Sequence, residues 1–387
     1  MFLAKVKCSQ FESLNKEWKL VDFCPLQINL VVGKNATGKT RTLNSISTLA
    51  HLITRERTDL PENVLYDFTW KNGSKEISYI LKTAERKVVL EQLSIDQEVK
   101  LKRDSEGMCT IYFEQIEQSI DIHVPSSSLC SVVRRDKIQH PWFDYLHDWA
   151  KSTLHYRFGS VFGKNYGLII RPEDERQNKL DDVEIDLRKT DRVVELFRKG
   201  FEQYGQIFVN NIISSMQMIS YDLEDIEIYY SEKMKFRHPS EIPPAVLRVK
   251  EKDLDCHTYQ ADMSQGMFRA LSLIIQLNLS RLSALPCCII IDDIGEGLDF
   301  DRSTQLIRLL IDKIEKTSIQ LIMSSNDRFI MNNVDLKYWS VIQRKGNQSM
   351  VFNSSNAKEA FDEFVFTGLS NFDFLCTEFY CKPLHEE

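Results

Sequence analysis

The segment Gly33–Thr40 reads Gly-Lys-Asn-Ala-Thr-Gly-Lys-Thr and matches the pattern GxxxxGK[ST], whose glycines let backbone N–H groups fold around phosphate oxygens. In this pattern the lysine, here Lys39, reaches the β- and γ-phosphates, and the hydroxyl of Thr40 holds Mg²⁺. The predicted nucleotide contacts are Gly33, Lys34, Asn35, Ala36, Thr37, Gly38, Lys39, Thr40 and Arg41. The motif therefore predicts a site for ATP and Mg²⁺.

A second segment suited to this chemistry is Pro286–Asp293, an apolar run that ends in two carboxylates. A continuous apolar run is typical of a parallel strand that is covered on both faces. We expect Asp292 to hold the Mg²⁺ ion and Asp293 to orient or polarise the attacking water. An acidic turn that merely meets solvent is the alternative, and the phosphate-binding motif argues against it.

A third segment opens a strongly helical stretch at Met263–Arg269. Ser264 and Gly266 at a helix start predict an anion-binding N-terminus, although an ordinary capped helix has the same residues. One phosphate loop already holds one ATP, so a second phosphate-facing helix end is useful if it caps the ATP of another subunit. Asp299 closes the segment that follows Asp293 and joins the predicted nucleotide contacts.

The same sequence predicts the helices and strands that position these residues. Ile28–Val32 is a β-prone run before the loop, and a helical pattern continues from about Lys39 to Ile53. Alternation from Tyr66 to Val124 predicts an antiparallel sheet with hairpins. Residues from about 141 to 220 are predicted to be mainly helical, with one apolar face on a long helix. The residues of that face are Val193, Phe197, Phe201, Tyr204, Phe208, Ile212, Met216 and Ile219.

The remaining text completes an α/β pattern. Strands and helices alternate from Val246 to about Asn353, and the charge-dense stretch Arg171–Asp191 is expected to be exposed. The tail after residue 355 mixes acids with aromatic residues and is expected to pack on the body of the protein or on a partner.

Composition narrows the class of protein. The chain has 387 residues, and 49 basic against 56 acidic side chains give a net charge of −7. This balance argues against a dedicated nucleic-acid coat and leaves room for a local basic groove. No apolar run approaches the roughly 20 residues of a membrane helix. Nine cysteines without zinc spacing are typical of free thiols in a reducing cytoplasm, so we expect a cytoplasmic protein.

Taken in order, these motifs resemble those of the ABC-type ATPase heads of the SMC, Rad-fifty and RecF group. The chain is similar in particular to the stand-alone prokaryotic AAA-type ATPases related to the overcoming-lysogenisation-defect (OLD) nucleases. The matching segments are Gly33–Thr40 with Walker A, Met263–Arg269 with a degenerate signature motif, Ile289–Asp293 with Walker B, Leu298 and Asp299 with the D-loop, and Ile319–Asn326 with the last core strand and switch position.

The resemblance implies an α/β P-loop NTPase fold of ABC-ATPase type, with a mixed sheet, an antiparallel β-subdomain and a mainly helical insertion lobe. It implies an ATPase head in two parts, residues 1–125 and 225–355, separated by the insertion at 126–224 and followed by a docking tail at 356–387. Two copies would enclose two ATP molecules, with each phosphate loop facing Ser264–Gly266 of the other copy. A Toprim nuclease domain, which OLD nucleases carry, is not expected in the residues after Asn326.

Three residues depart from the family pattern. Ala36 replaces a glycine, which requires that its backbone angle permit a side chain. Asp293 stands where the family has glutamate, and Asn326 stands where it has histidine. An amide can bind a γ-phosphate oxygen or orient water but cannot shuttle a proton. As catalytic residues, Lys39, Asp293 and Asn326 are therefore expected to support slow hydrolysis.

The function that the resemblance implies is an ATP-hydrolysing switch that dimerises around ATP, or forms a higher homo-oligomer. It would control a separate effector protein, a nuclease or toxin, in prokaryotic antiphage defence. One alternative is a DNA-repair or chromosome-maintenance ATPase that clamps DNA, so nucleic acid is a further candidate partner. Another is a scaffold that holds ATP with little turnover. No association with a membrane is expected.

Overall fold

The computed structural model describes residues 1–12, 14–160, 163–168, 186, 188–230, 244–283 and 287–381. In these residues the strands are β1 (Phe2–Gln10), β2 (Trp18–Phe23), β3 (Ile28–Val32), β4 (Val64–Asn72), β5 (Lys75–Ala84), β6 (Lys87–Ile95), β7 (Glu98–Arg103), β8 (Met108–Phe113), β9 (Gln118–His123), β10 (Thr153–Arg157), β11 (Leu223–Tyr230), β12 (Ala245–Glu251), β13 (His257–Tyr259), β14 (Cys288–Asp292), β15 (Gln320–Ser324), β16 (Trp339–Lys345) and β17 (Gln348–Asn353).

The helices in the same residues are α1 (Lys39–Ile53), α2 (Cys130–Val133), α3 (Phe143–Lys151), α4 (Val193–Gln217), α5 (Gln265–Leu282), α6 (Phe300–Ile314), α7 (Arg328–Asn333), α8 (Lys358–Phe364) and α9 (Asn371–Cys376). Short 3₁₀ turns lie at Leu336–Tyr338, Val365–Thr367 and Phe379–Cys381. None of the helices in the described part of the chain has the length and hydropathy of a membrane span.

The chain divides into two compact units. The first unit comprises Met1–Thr153, Pro286–Ile290 and Ile319–Glu387, and the second comprises Leu154–Leu285 and Ile291–Ser318. Strand β14 therefore begins in the first unit and ends in the second.

The first unit is built on a mixed sheet. Its strands follow the order β14-β15-β3-β16-β17-β2-β1-β4-β5-β6-β7-β8-β9. Strand β3 runs parallel to β15 on one side and to β16 on the other, whereas β4 to β9 form an antiparallel meander. All five residues of β3 are buried, which explains why this run is apolar instead of alternating. Large aromatic side chains such as Trp18, Trp70 and Trp339 fill the core.

The second unit holds a three-stranded antiparallel sheet, β11-β12-β13, together with α4, α5 and α6. Every residue of α5 from Gly266 to Ser280 is buried, as expected for a helix that is apolar on most of its circumference. Helix α6 instead alternates buried and exposed faces, with Leu306 and Leu310 on the buried one.

Most predicted elements are confirmed. Helix α1 has the predicted bounds, the hairpins from Tyr66 to Val124 are present, and β14 and β15 lie in the predicted apolar runs. In the described part of the tail, the ring of Phe374 contacts those of Trp339 and Phe361. A separate docking tail at 356–387 stays a prediction.

Two element predictions are wrong in part. The segment 141–220, predicted to be mainly helical, also contains strand β10. The long apolar face is interrupted because α4 bends at Gly205, where φ is 54°, and Phe201 on that face is 48% exposed. Glycine adopts this backbone conformation without the strain that a Cβ atom causes, so the two halves of the helix take different directions.

Residues 171–185 of the charge-dense stretch lie outside the described residues, and its predicted exposure stays a prediction there. The predicted domain bounds at 125/126, 224/225 and 355/356 also stay predictions.

Candidate functional site

The phosphate-binding loop lies in the first unit, between the buried strand β3 and helix α1. A Cβ atom on Gly33 would lie 2.4 Å from the carbonyl oxygen of Ile342, so only glycine fits at the exit of the strand. Gly38 has φ of 110° and Ala36 has φ of 61°. Ala36, the departure from the family pattern, therefore occupies a left-handed conformation, which costs a residue with a Cβ atom about 1 kcal/mol.

Two neighbouring strands hold this loop in place. The indole Nε1 of Trp18 donates to Ser349 Oγ at 2.8 Å, and this hydroxyl donates to the carbonyl of Thr37 at 2.7 Å. A Cβ atom on Gly38 would approach the Trp18 ring to 3.0 Å. Sequence reasoning missed Trp18 and Ser349, because the pairing of β2 with β17 that brings them to the loop has no local signal.

Lys39 is buried, and its ammonium donates to the carbonyls of Gly33 at 2.7 Å and Lys34 at 3.1 Å. Thr40 and Arg41 are exposed in the same turn. This first turn of α1 contains no acidic residue, and no side chain caps it. The N-terminal end of a helix carries a partial positive charge, which favours anions. The arrangement is therefore electrostatically suited to an anionic ligand.

The outer side of the loop is tied to the C-terminal segment. The ammonium of Lys34 donates to Glu378 Oε1 at 2.7 Å, and Gln343 Nε2 donates to Glu378 Oε2 at 3.3 Å. The hydrogen bond and charge of Glu378 raise the pKa of Lys34. Arg344 Nη1 also donates to the carbonyl of Ala36 at 3.4 Å. No sequence motif predicts the contact of Glu378 with the loop, because this contact depends on how the tail packs.

Asn326 lies in the first unit as well, directly beyond the end of β15. The register of β15 with β3 pairs Ser324 with Val31. Asn326 and Gly33 each follow two residues later, so both leave the sheet at the same edge. Asn326 is exposed there.

The two predicted carboxylates lie at the end of β14 in the second unit. Asp292 is buried, and its carbonyl accepts a hydrogen bond from the backbone N–H of Phe158 at 2.9 Å. Asp293 is half-buried with φ of 55°, a conformation that aspartate tolerates better than most residues. The chain therefore turns sharply between the two carboxylates.

The second unit also brings Ser264, Gly266 and Asp299 together. Ser264 caps α5 by accepting from the N–H of Met267 at 3.2 Å, and Asp299 caps α6 by accepting from the N–H of Arg302 at 2.9 Å. The backbone hydrogen bond from Arg302 and the hydrogen bond and charge of its guanidinium lower the pKa of Asp299. A Cβ atom on Gly266 would lie 2.4 Å from the carbonyl oxygen of Gly297, so the two segments are in direct contact.

An aromatic residue joins these two helix starts. Tyr221 hydrogen-bonds with Ser264, and burial raises the pKa of its phenol. The guanidinium of Arg302 lies 4.4 Å from the centroid of the Tyr221 ring and donates to Asp299 Oδ2 at 2.8 Å. Tyr221 and Arg302 were not among the predicted residues.

The predicted site residues thus form two groups. Gly33–Thr40, Arg41 and Asn326 share the first unit, whereas Asp292, Asp293, Ser264, Gly266 and Asp299 share the second. That both groups act on bound nucleotide stays a prediction.

Among solved structures, the chain is similar to an SMC head bound to the C-terminal winged-helix domain of ScpA. The TM-score is 0.54 at 13% sequence identity, over 91% of this chain and 97% of the other. This chain has the fold of an ABC-type ATPase head. The predicted α/β fold with its mixed sheet is confirmed, and identity this low shows the fold alone.

Two further SMC heads also match. The head from Thermotoga maritima has a TM-score of 0.45 at 12% identity, over 91% of this chain and 99% of the other. A head with an extended coiled coil, bound to the C-terminal domain of ScpA and derived from Pyrococcus furiosus, has a TM-score of 0.49 at 11% identity, over 94% and 99%. No protein-family model matches the chain, and no curated protein matches it.

Proposed function

We propose that this protein binds Mg²⁺-ATP at Gly33–Thr40, hydrolyses it slowly, and dimerises around it. The observation that carries the proposal is the first turn of α1. This turn contains Lys39 and Arg41, it has no acidic residue in its own sequence, and it follows glycines at 33 and 38, where a Cβ atom would clash. A triphosphate satisfies the helix N–H groups and the cations at once.

Each residue of the site has a role in this proposal. The ammonium of Lys39 exchanges a loop carbonyl for oxygens of the β- and γ-phosphates. The Thr40 hydroxyl and the Asp292 carboxylate supply the oxygen ligands that Mg²⁺ prefers. Asp293 orients the attacking water, and the Asn326 amide contacts the γ-phosphate or that water. Bound Mg²⁺ would neutralise charge that develops on the phosphate oxygens.

The second unit supplies the contact between copies. Ser264 and the start of α5 would face the γ-phosphate held by the other copy, with Asp299 beside them. Support comes from the exposure of both Ser264 and Asp299, and from the contact between Gly266 and Gly297 that holds these two helix starts together. ATP would then stabilise the closed dimer by the contacts that only this state makes with the γ-phosphate.

The switch would act on a separate effector, a nuclease or toxin, in prokaryotic antiphage defence in the cytoplasm. Support for this role is the motif resemblance to ATPases of the OLD group, which is a family analogy. A similar solved head is bound to a domain of another protein, which supports a protein partner in general.

The test is the native mass of the full chain with and without Mg²⁺-ATP. Asp293→Asn traps the bound state and Lys39→Ala removes binding. The matched control is Lys87→Ala, at the exposed first residue of β6. We expect ATP to double the mass of the chain and of the Lys87→Ala protein but not of the Lys39→Ala protein. An assembly whose mass ignores ATP would contradict the switch.

A scaffold that holds ATP without turnover is the second candidate, favoured by Asp293 and Asn326 at the catalytic positions. Steady-state phosphate release distinguishes the two. Release that Lys39→Ala abolishes supports the switch, whereas ATP binding without release supports the scaffold. Retention of DNA that requires ATP and falls steeply with salt would instead support a DNA clamp.

A further inference from the structure

Arg269 is a buried cation on the first turns of α5, five residues after Ser264. Its Nε donates to the carbonyl of Ser160 at 3.0 Å, and its Nη1 donates to the carbonyl of Glu296 at 2.7 Å. Burial lowers the pKa of this guanidinium. A charge is costly to bury, and here its donors are directed at two backbone loops.

Those two loops are the ones that flank the carboxylates of β14. Ser160 lies two residues after Phe158, whose N–H donates to the carbonyl of Asp292. The guanidinium of Arg269 lies 6.0 Å from the centroid of the Phe158 ring. Glu296 lies three residues after Asp293 in the turn that leaves the strand. One planar guanidinium therefore joins Glu296 of the turn to the Phe158–Ser160 loop, which itself hydrogen-bonds with Asp292.

Two glycines allow the close approach between Arg269, the turn and the neighbouring loop. A Cβ atom on Gly297 would lie 2.6 Å from Arg269 Nη1, and one on Gly159 would lie 2.5 Å from the Glu296 carboxylate. The turn itself is tightly wound, with positive φ at Asp293, Gly295 and Gly297. Its two glycines lose much conformational freedom on folding, so contacts with the rest of the unit are needed to hold one conformation.

We infer that Arg269 is a positioning residue that holds the Asp293 carboxylate in place and couples it to Ser264 through α5. This inference rests on the proposed function and deepens it, since it specifies how contact with the other copy's ATP would control hydrolysis. Restraint of α5 at its start is transmitted by the guanidinium to both loops. Lysine is a poor replacement, because its flexible stem and compact ammonium lack the rigid planar fork that holds Nε and Nη1 on two carbonyls at once.

The test compares Arg269→Lys and Arg269→Met with Arg198→Lys, a control whose arginine pairs with Glu202 on α4. We expect kcat for ATP to fall about 10- to 100-fold in both Arg269 variants, as for residues that orient catalytic ligands. The affinity for ADP and the KM for ATP stay close to those of the unmodified chain, because nucleotide is held by the loop at Lys39. Melting temperature reports whether each variant is folded.

A double-variant cycle separates positioning from a general structural role. If Arg269 acts through Asp293, Arg269→Lys adds no further loss of kcat in an Asp293→Asn background. An equal loss in both backgrounds, or an unchanged kcat in Arg269→Lys, would overturn the inference.

Amide hydrogen exchange keeps the inference testable if the chain does not hydrolyse ATP at all, which would contradict the proposed function alone. We expect residues 293–298 to exchange faster in Arg269→Lys than in the unmodified chain or in Arg198→Lys, without nucleotide. Unchanged exchange of this turn would show that Arg269 does not hold it.

Discussion

The phosphate loop of the first unit and the carboxylate turn of the second unit are held in different ways. In the loop, glycines at 33 and 38 make room for the backbone, and the groups proposed to contact nucleotide are backbone N–H groups and Lys39. In the turn, the proposed acting group is a side chain, Asp293, and Arg269, 24 positions away, donates to the carbonyl of Glu296 in the same turn. A site built from backbone N–H groups can be recognised from a local sequence motif. A site built on one side chain depends on residues elsewhere in the chain that hold it in position.

The largest expected effect is the loss of ATP hydrolysis in Asp293→Asn, which should leave the fold intact. Asp293→Asn keeps the shape of the side chain but removes the charge that polarises water, so we expect kcat to fall about 100-fold or more. Binding of ATP and melting temperature should change little. Asp293→Glu restores the family residue and should raise kcat above that of the unmodified chain. A slower glutamate variant would show that aspartate does not limit hydrolysis here.

A substitution in the loop should instead lower stability and ATP binding. Gly33→Ala places a methyl group 2.4 Å from the Ile342 carbonyl oxygen, and we expect a loss of about 3 kcal/mol in the free energy of unfolding together with loss of ATP binding. Gly73→Ala is the matched control, since no atom lies within 4 Å of its Cβ position and only the positive φ, 62°, is strained. Its expected cost is about 1 kcal/mol. Denaturant titration of both variants measures the difference, and equal losses would refute the packing argument.

Two capping aspartates, one in each unit, allow a comparison in which smaller effects are expected. Asp299 caps α6 in the second unit, and Asp373 accepts from the N–H of Ser370 at the start of α9 in the first. Hydrogen bonds from Arg302 lower the pKa of Asp299, and those from Ser370 lower the pKa of Asp373. Each carboxylate therefore adds stability above its unfolded pKa of about 4, and this stability is lost as the pH falls through the lower folded pKa.

Both variants, Asp299→Asn and Asp373→Asn, should flatten the fall of melting temperature in acid. Asparagine can still cap the helix, so Asp299→Asn should cost only about 0.5 kcal/mol at neutral pH, from lost charge interactions with Arg302 and the helix end. Only Asp299→Asn should weaken ATP-dependent doubling of mass, because Asp299 is predicted to lie beside the other copy's nucleotide. Equal effects of the two variants on dimerisation would identify Asp299 as a helix cap alone.

The smallest expected effect concerns the ion pair between Lys34 and Glu378. Glu378→Gln removes a negative charge from the rim of a site for an anion, so ATP affinity should rise by about two- to five-fold, a gain of up to 1 kcal/mol. Calorimetric titration at low and high salt should show the gain shrinking as salt screens it. Glu363→Gln, also in the C-terminal segment, is the control. Lower affinity in Glu378→Gln would show that the ion pair shapes the loop for ATP.

Several parts of this molecule could be predicted from the sequence because their causes are local. Gly33–Thr40 between an apolar run and a helical pattern fixed the loop and the bounds of α1, and the alternation of Tyr66–Val124 fixed the hairpins. Strand β10 escaped prediction because its five residues follow directly on α3 and show no clear alternation. The bend at Gly205 escaped because a glycine within an apolar helical pattern does not reveal its φ.

By itself, the sequence determined which residues could bind phosphate, Mg²⁺ and water, since the motif residues act through their own backbone and charges. Tertiary structure alone decided what supports them. Trp18 and Ser349 hold the loop, Glu378 reaches Lys34, and Arg269 joins the loops around Asp292 and Asp293. The physical reason is that these contacts join residues far apart in the chain, and their energy depends on burial and on distances between atoms, which no local pattern records.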